Sequence, residues 1–194
     1  MNALLNLDQS LFLIINGWHN SFMDPVMFSI SSTIVWIPVY LVFLYFVFKT
    51  YGKQGWYILL LVAITIALVD QGTVHLFKNT FQRLRPSHEP SLEGLVHIVN
   101  NYKGGDYGFV SSHAANNFAL VTFLGFFLRK SYKWLFPVML AWAALIAYSR
   151  MYLGVHYPGD VLCGGLYGAL VGYLVAMYGS RWLKIKKRYP KAAL

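Results

Sequence analysis

The sequence predicts an all-α, polytopic helical membrane protein with about five transmembrane helices and an N-terminal interfacial helix. Three observations predict it. Of 194 residues, 57% are hydrophobic and only 12% charged, whereas about a quarter are charged in an ordinary soluble domain. The mean hydropathy is +0.49, which also excludes a disordered chain, since disorder needs low hydrophobicity and dense charge. Finally, the apolar residues form runs near spanning length, and the basic residues gather where those runs end.

The net charge is +9, from 16 Lys and Arg against 7 Asp and Glu. Lys184, Lys186, Lys187, Arg188 and Lys191 crowd the region after the last apolar run, and Arg129, Lys130 and Lys133 fill a short connection. Charge at boundaries sets topology, and it argues against a nucleic-acid partner, which would call for a basic face. The lone cysteine, Cys163, lies in an apolar stretch, so neither an internal disulfide nor a cysteine metal site is available.

Residues 1–20 read as an amphipathic interfacial segment. No Lys or Arg precedes Lys49, so the start lacks the basic region of a secretory signal. Asp24-Pro25 then opens the first span, 26–48, with Pro38 expected as a kink. The second span is 56–77, whose last turns carry Asp70 and His75. Residues 78–112, rich in Pro and Gly, read as a long extramembrane loop, a kind of loop that is usually functional. Spans at 114–128, 134–148 and 161–178 follow. The whole chain, 1–194, reads as a single domain. Most of the six tryptophans fall near span ends and are expected as interface anchors.

Counting Lys and Arg on each side orients the chain. One side holds Lys49, Lys53, Arg129, Lys130, Lys133 and the C-terminal cluster, and is expected to be cytoplasmic. The other carries the long loop and the connection from Arg150 to Asp160, which places them on the outer, periplasmic face of the inner membrane. Lys78, Arg83, Arg85, Lys103 and Arg150 remain on the side that normally avoids such charges. Ligand binding is one explanation for them.

Three polar clusters meet at that outer boundary. Lys78, Arg85 and Arg150 offer cationic donors of the kind that bind phosphate oxygens, Arg in a fork. Ser111 and Ser112 precede an apolar helix; alone they read as an N-cap, but backbone N–H groups there also form an anion cradle. His113 and His156 are fit to divide nucleophile and general-acid duties, and Asp160 to fix one imidazole. Taken singly, each cluster has a plain structural reading as snorkelling charge or as a cap. Together they are the parts of a metal-free phosphoryl transfer.

In these residues the sequence resembles the type 2 phosphatidic acid phosphatases, whose signature is K-x6-R-P, then P-S-G-H, then S-R-x5-H-x3-D. Lys78 to Pro86 fits the first part, and Ser149, Arg150, His156 and Asp160 fit the third. In the second, Ser111 and His113 stand, while Val110 replaces Pro and Ser112 replaces Gly. The resemblance implies a membrane lipid phosphatase that needs no metal and no cofactor. It implies His156 as nucleophile forming a phosphohistidine, Asp160 as its hydrogen-bond partner and His113 as general acid. Lys78, Arg85, Ser111, Ser112 and Arg150 would bind the phosphoryl oxygens. Arg83 is no fixed position of the pattern and is left out of the set.

Undecaprenyl diphosphate is the first expected substrate, with phosphatidylglycerol phosphate, phosphatidate and lipid A as alternatives. An anion or lipid transporter is the competing class; it would spread charge through the membrane depth, whereas here the charge gathers at one boundary. A metal site at Glu93 and His97 would need a helix begun at Pro90, which Gly94 weakens. Asp70 and His75 are expected to support the site by pairing with Lys78 or Arg85.

Overall fold

A computed structural model describes residues 2–186; Lys187, Arg188 and Lys191 of the basic C-terminal cluster lie outside the described residues. The described residues are mostly helical, and the loop before the last three helices is irregular. α1 (Asn2–Gly17) and the short α2 (Met23–Ser31) lead through a 3-10 turn into α3 (Ile37–Tyr51) and α4 (Gly55–Gly72). A π-turn (Thr73–Lys78) and the three-residue α5 (Asn79–Phe81) extend α4 into the loop. α6 (Ser112–Leu128), α7 (Leu135–Tyr152) and α8 (Pro158–Trp182) complete the bundle. The stretch Thr33–Phe81 and the helices Leu135–Tyr152 and Pro158–Trp182 are long and apolar enough to cross a membrane.

The first expected span is divided. Ser32 adopts extended backbone and ends α2, and Pro38 sits in the first turn of α3. There its missing N–H costs nothing and its fixed φ favours helix, so it starts a helix instead of kinking one. The tryptophans also divide. Trp18, Trp56, Trp134 and Trp182 are exposed, as anchors would be, but Trp142 is buried in the core and meets Trp36, Tyr40 and Phe43 edge to face. Edge-to-face packing suits the ring quadrupole and makes Trp142 a packing residue.

The closest helix pair is α6 against α8. Gly164, Gly168 and Gly172 recur every fourth residue and so form one stripe on α8. A Cβ on Gly164 would lie 2.6 Å from the Ser111 carbonyl oxygen, and one on Gly168 or Gly172 would overlap the Ala115 or Ala119 carbonyl. Small residues let the two backbones approach, the usual means of helix association in lipid. The consequence is functional: the N-terminal ends of α6 and α8, with the residues just before them, are brought together.

The loop between α5 and α6 folds over those ends. It holds 3-10 turns at Pro86–His88, Pro90–Leu92 and Val99–Asn101, and an antiparallel bridge between Leu84 and Tyr107 closes its base. The helix considered from Pro90 does not form beyond that single turn. His97 Nε2 instead donates to Asp24 Oδ1, 3.0 Å away, and its ring stacks on His19. Asn16 of α1 ties this region down, accepting from His97 N–H at 2.8 Å and donating to the Tyr152 carbonyl at 2.8 Å.

Candidate active site

His156 occupies the short connection between α7 and α8 and is 1% exposed. Arg85 Nη1 lies 3.0 Å from its Nε2 and 3.2 Å from the Val155 carbonyl. A guanidinium only donates, so Nε2 accepts and the ring proton resides on Nδ1. Nδ1 faces Asp160 Oδ2 at 3.5 Å. That distance exceeds a good hydrogen bond and becomes an ion pair only when the imidazole carries a second proton. Burial holds the His156 imidazole well below its ordinary range, and the charges of Arg85, Arg150 and Lys78 act in the same direction. The ring is therefore neutral with an unprotonated Nε2.

Asp160 lies in the first turn of α8 and is fully buried. Its Oδ2 accepts the Tyr157 N–H at 3.0 Å, closing a capping box at the helix start. Its Oδ1 accepts from Arg83 Nη1 at 2.9 Å. The carboxylate that caps the helix is thus also the one that faces His156. Gly108 passes so close that a Cβ there would stand 3.0 Å from Asp160 Oδ2.

At the head of α6, Ser111 is the N-cap, its hydroxyl accepting from Ala114 N–H at 3.4 Å. Its own N–H donates to the Asp160 carbonyl at 3.0 Å. That donor is committed to joining α6 and α8, so the anion cradle expected at Ser111 lacks one of its N–H groups. Ser112 accepts from Lys78 Nζ at 2.8 Å, and its hydroxyl is also 2.8 Å from Thr73 Oγ1. The serine that stands in the Gly position of the signature thus holds the signature lysine in place.

Arg150 is 2% exposed. It donates to the Ser31 hydroxyl through Nη1 and to the Tyr102 hydroxyl at 3.1 Å through Nη2. With His113 it borders a cavity of about 240 Å³ that Phe28, Ser31, Thr33 and Tyr102 also line. Arg85 Nε and Arg150 Nε are buried without a hydrogen-bond partner, so each arginine keeps a donor to offer.

The structure brings together Lys78, Arg85, Ser111, Ser112, His156 and Asp160 by the contacts above; Arg150, whose charge acts on His156, shares a cavity with His113. It does not bring in His75, which turns to Gln71 Oε1 at 3.1 Å. Among the described residues Asp70 forms no ion pair with Lys78 or Arg85. It adds Arg83, Asp8, Ser31 and Tyr102. Arg83 carried the same signal as Arg85, a cation on the depleted side of the membrane, but no motif position marked it.

Residues 54–184 match the family model described as the PAP2 superfamily. A lipid A 4'-phosphatase of Bacteroides thetaiotaomicron is 38% identical over 173 residues, covering 88% of this chain and 76% of that protein. An undecaprenyl-diphosphatase of Sulfolobus acidocaldarius is 32% identical over 175 residues, covering 88% and 77%. Among solved structures, the transmembrane PAP2-type phosphatidylglycerolphosphate phosphatase of Bacillus subtilis superposes with a TM-score of 0.67 at 25% identity, over 98% of this chain and 90% of that one.

Proposed function

We propose, since this chain belongs to the PAP2 superfamily and is a membrane phosphatase of phosphate esters, that it removes a phosphate from a lipid A-type glycolipid through a phosphohistidine on His156. The observation that carries the mechanism is the buried neutral imidazole. Its Nε2 lone pair points at an arginine, and its Nδ1 proton points at Asp160.

In the first step the substrate phosphoryl group takes the Arg85 donors onto its oxygens and frees Nε2. Nε2 attacks phosphorus, a P–N bond forms, and the P–O bond to the leaving alcohol breaks. Asp160 steadies the positive charge that grows on the imidazole. His113, which takes up a proton as the negatively charged phosphoryl group enters, gives that proton to the departing oxygen. In the second step His113 takes a proton from water, the hydroxide oxygen attacks phosphorus, and the P–N bond breaks to release phosphate and restore neutral His156. Lys78, Arg85 and Arg150 hold the non-bridging oxygens throughout, with the α6 N-terminus at Ser111 and Ser112 beside them. Fixed cations in a dry pocket supply most of the rate in such transfers. The same cations disfavour a divalent ion, which supports hydrolysis without one.

The cavity beside His113 supports a sugar-bearing leaving group. Ser31, Ser32, Thr33 and Tyr102 are among the residues that line it, beside the apolar Phe28 and Leu153, and such side chains are able to hydrogen-bond a saccharide. The relatives point the same way, with 38% identity to a lipid A 4'-phosphatase against 32% to an undecaprenyl-diphosphatase. This moves lipid A ahead of undecaprenyl diphosphate, the first expectation from sequence. The charge asymmetry between the two sides supports an outer-facing site and a cytoplasmic C-terminus.

The test is phosphate release in excess EDTA from lipid A, undecaprenyl diphosphate, phosphatidylglycerol phosphate and phosphatidate. Lipid A should be hydrolysed fastest. Fastest release from undecaprenyl diphosphate would overturn the substrate, and no release from any by folded protein would overturn the enzyme and favour transport.

A further inference from the structure

Arg83 bridges two carboxylates from opposite ends of the chain. Its Nη1 lies 2.9 Å from Asp160 Oδ1 and its Nη2 lies 2.8 Å from Asp8 Oδ2, on α1. The other oxygen of Asp8 accepts the Gly159 N–H at 2.8 Å, one residue before Asp160. The Tyr157 ring covers the guanidinium, with Cζ 4.0 Å from its centroid. Phe12 of α1 in turn meets Tyr157 edge to face, with centroids 5.5 Å apart. Arg83 holds Asp160 by Oδ1, while Oδ2 is the oxygen that faces His156.

We propose that Asp8 and Arg83 are positioning residues that set Asp160 against His156, making α1 a working part of the active site. Asp160 has two oxygens and two duties. If Oδ1 were free the carboxylate would rotate about its terminal bond, and Oδ2 would leave both Tyr157 N–H and His156 Nδ1. The planar fork of an arginine can span two carboxylates at once, which a lysine ammonium cannot do with the same geometry. Both Nη groups of Arg83 are engaged by carboxylates and its face lies on Tyr157, so it is not disposed to grip a phosphate. Asp8 balances the second half of the fork and anchors it to a helix held by Phe12 and Asn16. The inference rests on the phosphatase reading, because it assigns Asp160 a task in that reaction.

The experiment is a kinetic double-mutant cycle on the full chain in detergent, with lipid A as substrate and melting temperature followed in parallel. Arg83→Gln should lower kcat by roughly 10²-fold, the cost of a small misplacement of a catalytic group, with KM little changed. Arg83→Lys should recover part of the loss. Asp8→Asn keeps an oxygen for Gly159 N–H and loses the charge, so it should lower kcat by itself yet have no further effect in the Arg83→Gln background. Purely additive losses, or kcat unchanged in both single variants, overturn the proposal. A rise in KM alone overturns it as well and makes Arg83 a substrate contact. If Arg83→Gln fails to fold, the cycle of Asp8→Asn with Arg83→Lys gives the same decision. Wild-type protein that releases phosphate from no lipid defeats the phosphatase reading; variants indistinguishable from an active wild type defeat this one.

Discussion

Arg85 and His156 are joined through Nη1 and Nε2 at 3.0 Å, with the arginine donating and the imidazole accepting. The contact fixes the tautomer of His156 and leaves its Nδ1 proton for Asp160. It also puts a phosphate-binding donor at the atom that would attack phosphorus.

Replacing this arginine should therefore harm both binding and chemistry. Arg85→Lys keeps the charge but loses the guanidinium whose Nη1 reaches the Val155 carbonyl and His156 Nε2 together. A fall in kcat/KM of about 10²- to 10³-fold is expected, the size of losing one oxyanion donor. Steady-state kinetics on lipid A checks it; a lysine variant within a few-fold of wild type would remove Arg85 from the reaction.

Burial, and then the charges of Arg85, Arg150 and Lys78, keep His156 neutral well below the ordinary imidazole value of 6.5. In the unfolded chain the same ring takes up a proton near about pH 6.5. The unfolded state thus binds the extra proton as pH falls, so folding stability contributed at this site is present above that value and declines below it. In protein carrying 15N-histidine, the His156 signals, identified by their loss in His156→Gln, should stay at neutral-tautomer positions as the pH is lowered through the ordinary imidazole value. Titration with a midpoint near 6.5 would contradict the assignment.

Ser112 holds Lys78 Nζ at 2.8 Å. Ser112→Ala releases the ammonium from that guide. A hydrogen bond to a charged group contributes about 1.5 to 3 kcal/mol, so kcat/KM should fall by roughly tenfold or more, with the fold intact by circular dichroism. Unchanged kinetics would mean that Lys78 is placed by other contacts.

Gly168 sits where α8 meets the Ala115 carbonyl of α6. Gly168→Val should overpack this seam and cost about 1 to 3 kcal/mol, seen as a lower melting temperature in detergent, and activity should drop as the ends of α6 and α8 separate. A variant as stable as wild type would show that the helices have room to spare.

Much of this site is legible in the sequence because its parts are fixed by local spacing. His156 and Asp160 are four residues apart at a helix start, and Lys78 and Arg85 follow a span. Ser111 as N-cap is equally local. What the sequence hides is tertiary. Nothing near Asp8 signals a partner at Arg83, nor near Ser31 a partner at Arg150. The Ser111 N–H looks free until Asp160 supplies a carbonyl. Pro38 is ambiguous between kink and helix start until Ser32 breaks the run before it. Trp142 resembles its neighbours in sequence yet faces inward, because burial depends on helix rotation against partners that no single segment encodes.

The central claim is that His156 carries the phosphoryl group, and the most direct measurement is rapid acid-free quenching of the protein mixed with lipid A bearing labelled phosphate. A label that is stable to alkali, labile to acid and located on the peptide containing His156 is predicted, and His156→Ala should lose both label and turnover, the latter by roughly 10⁶-fold. Turnover by wild type with no covalent label, or with the label on His113, would contradict the account.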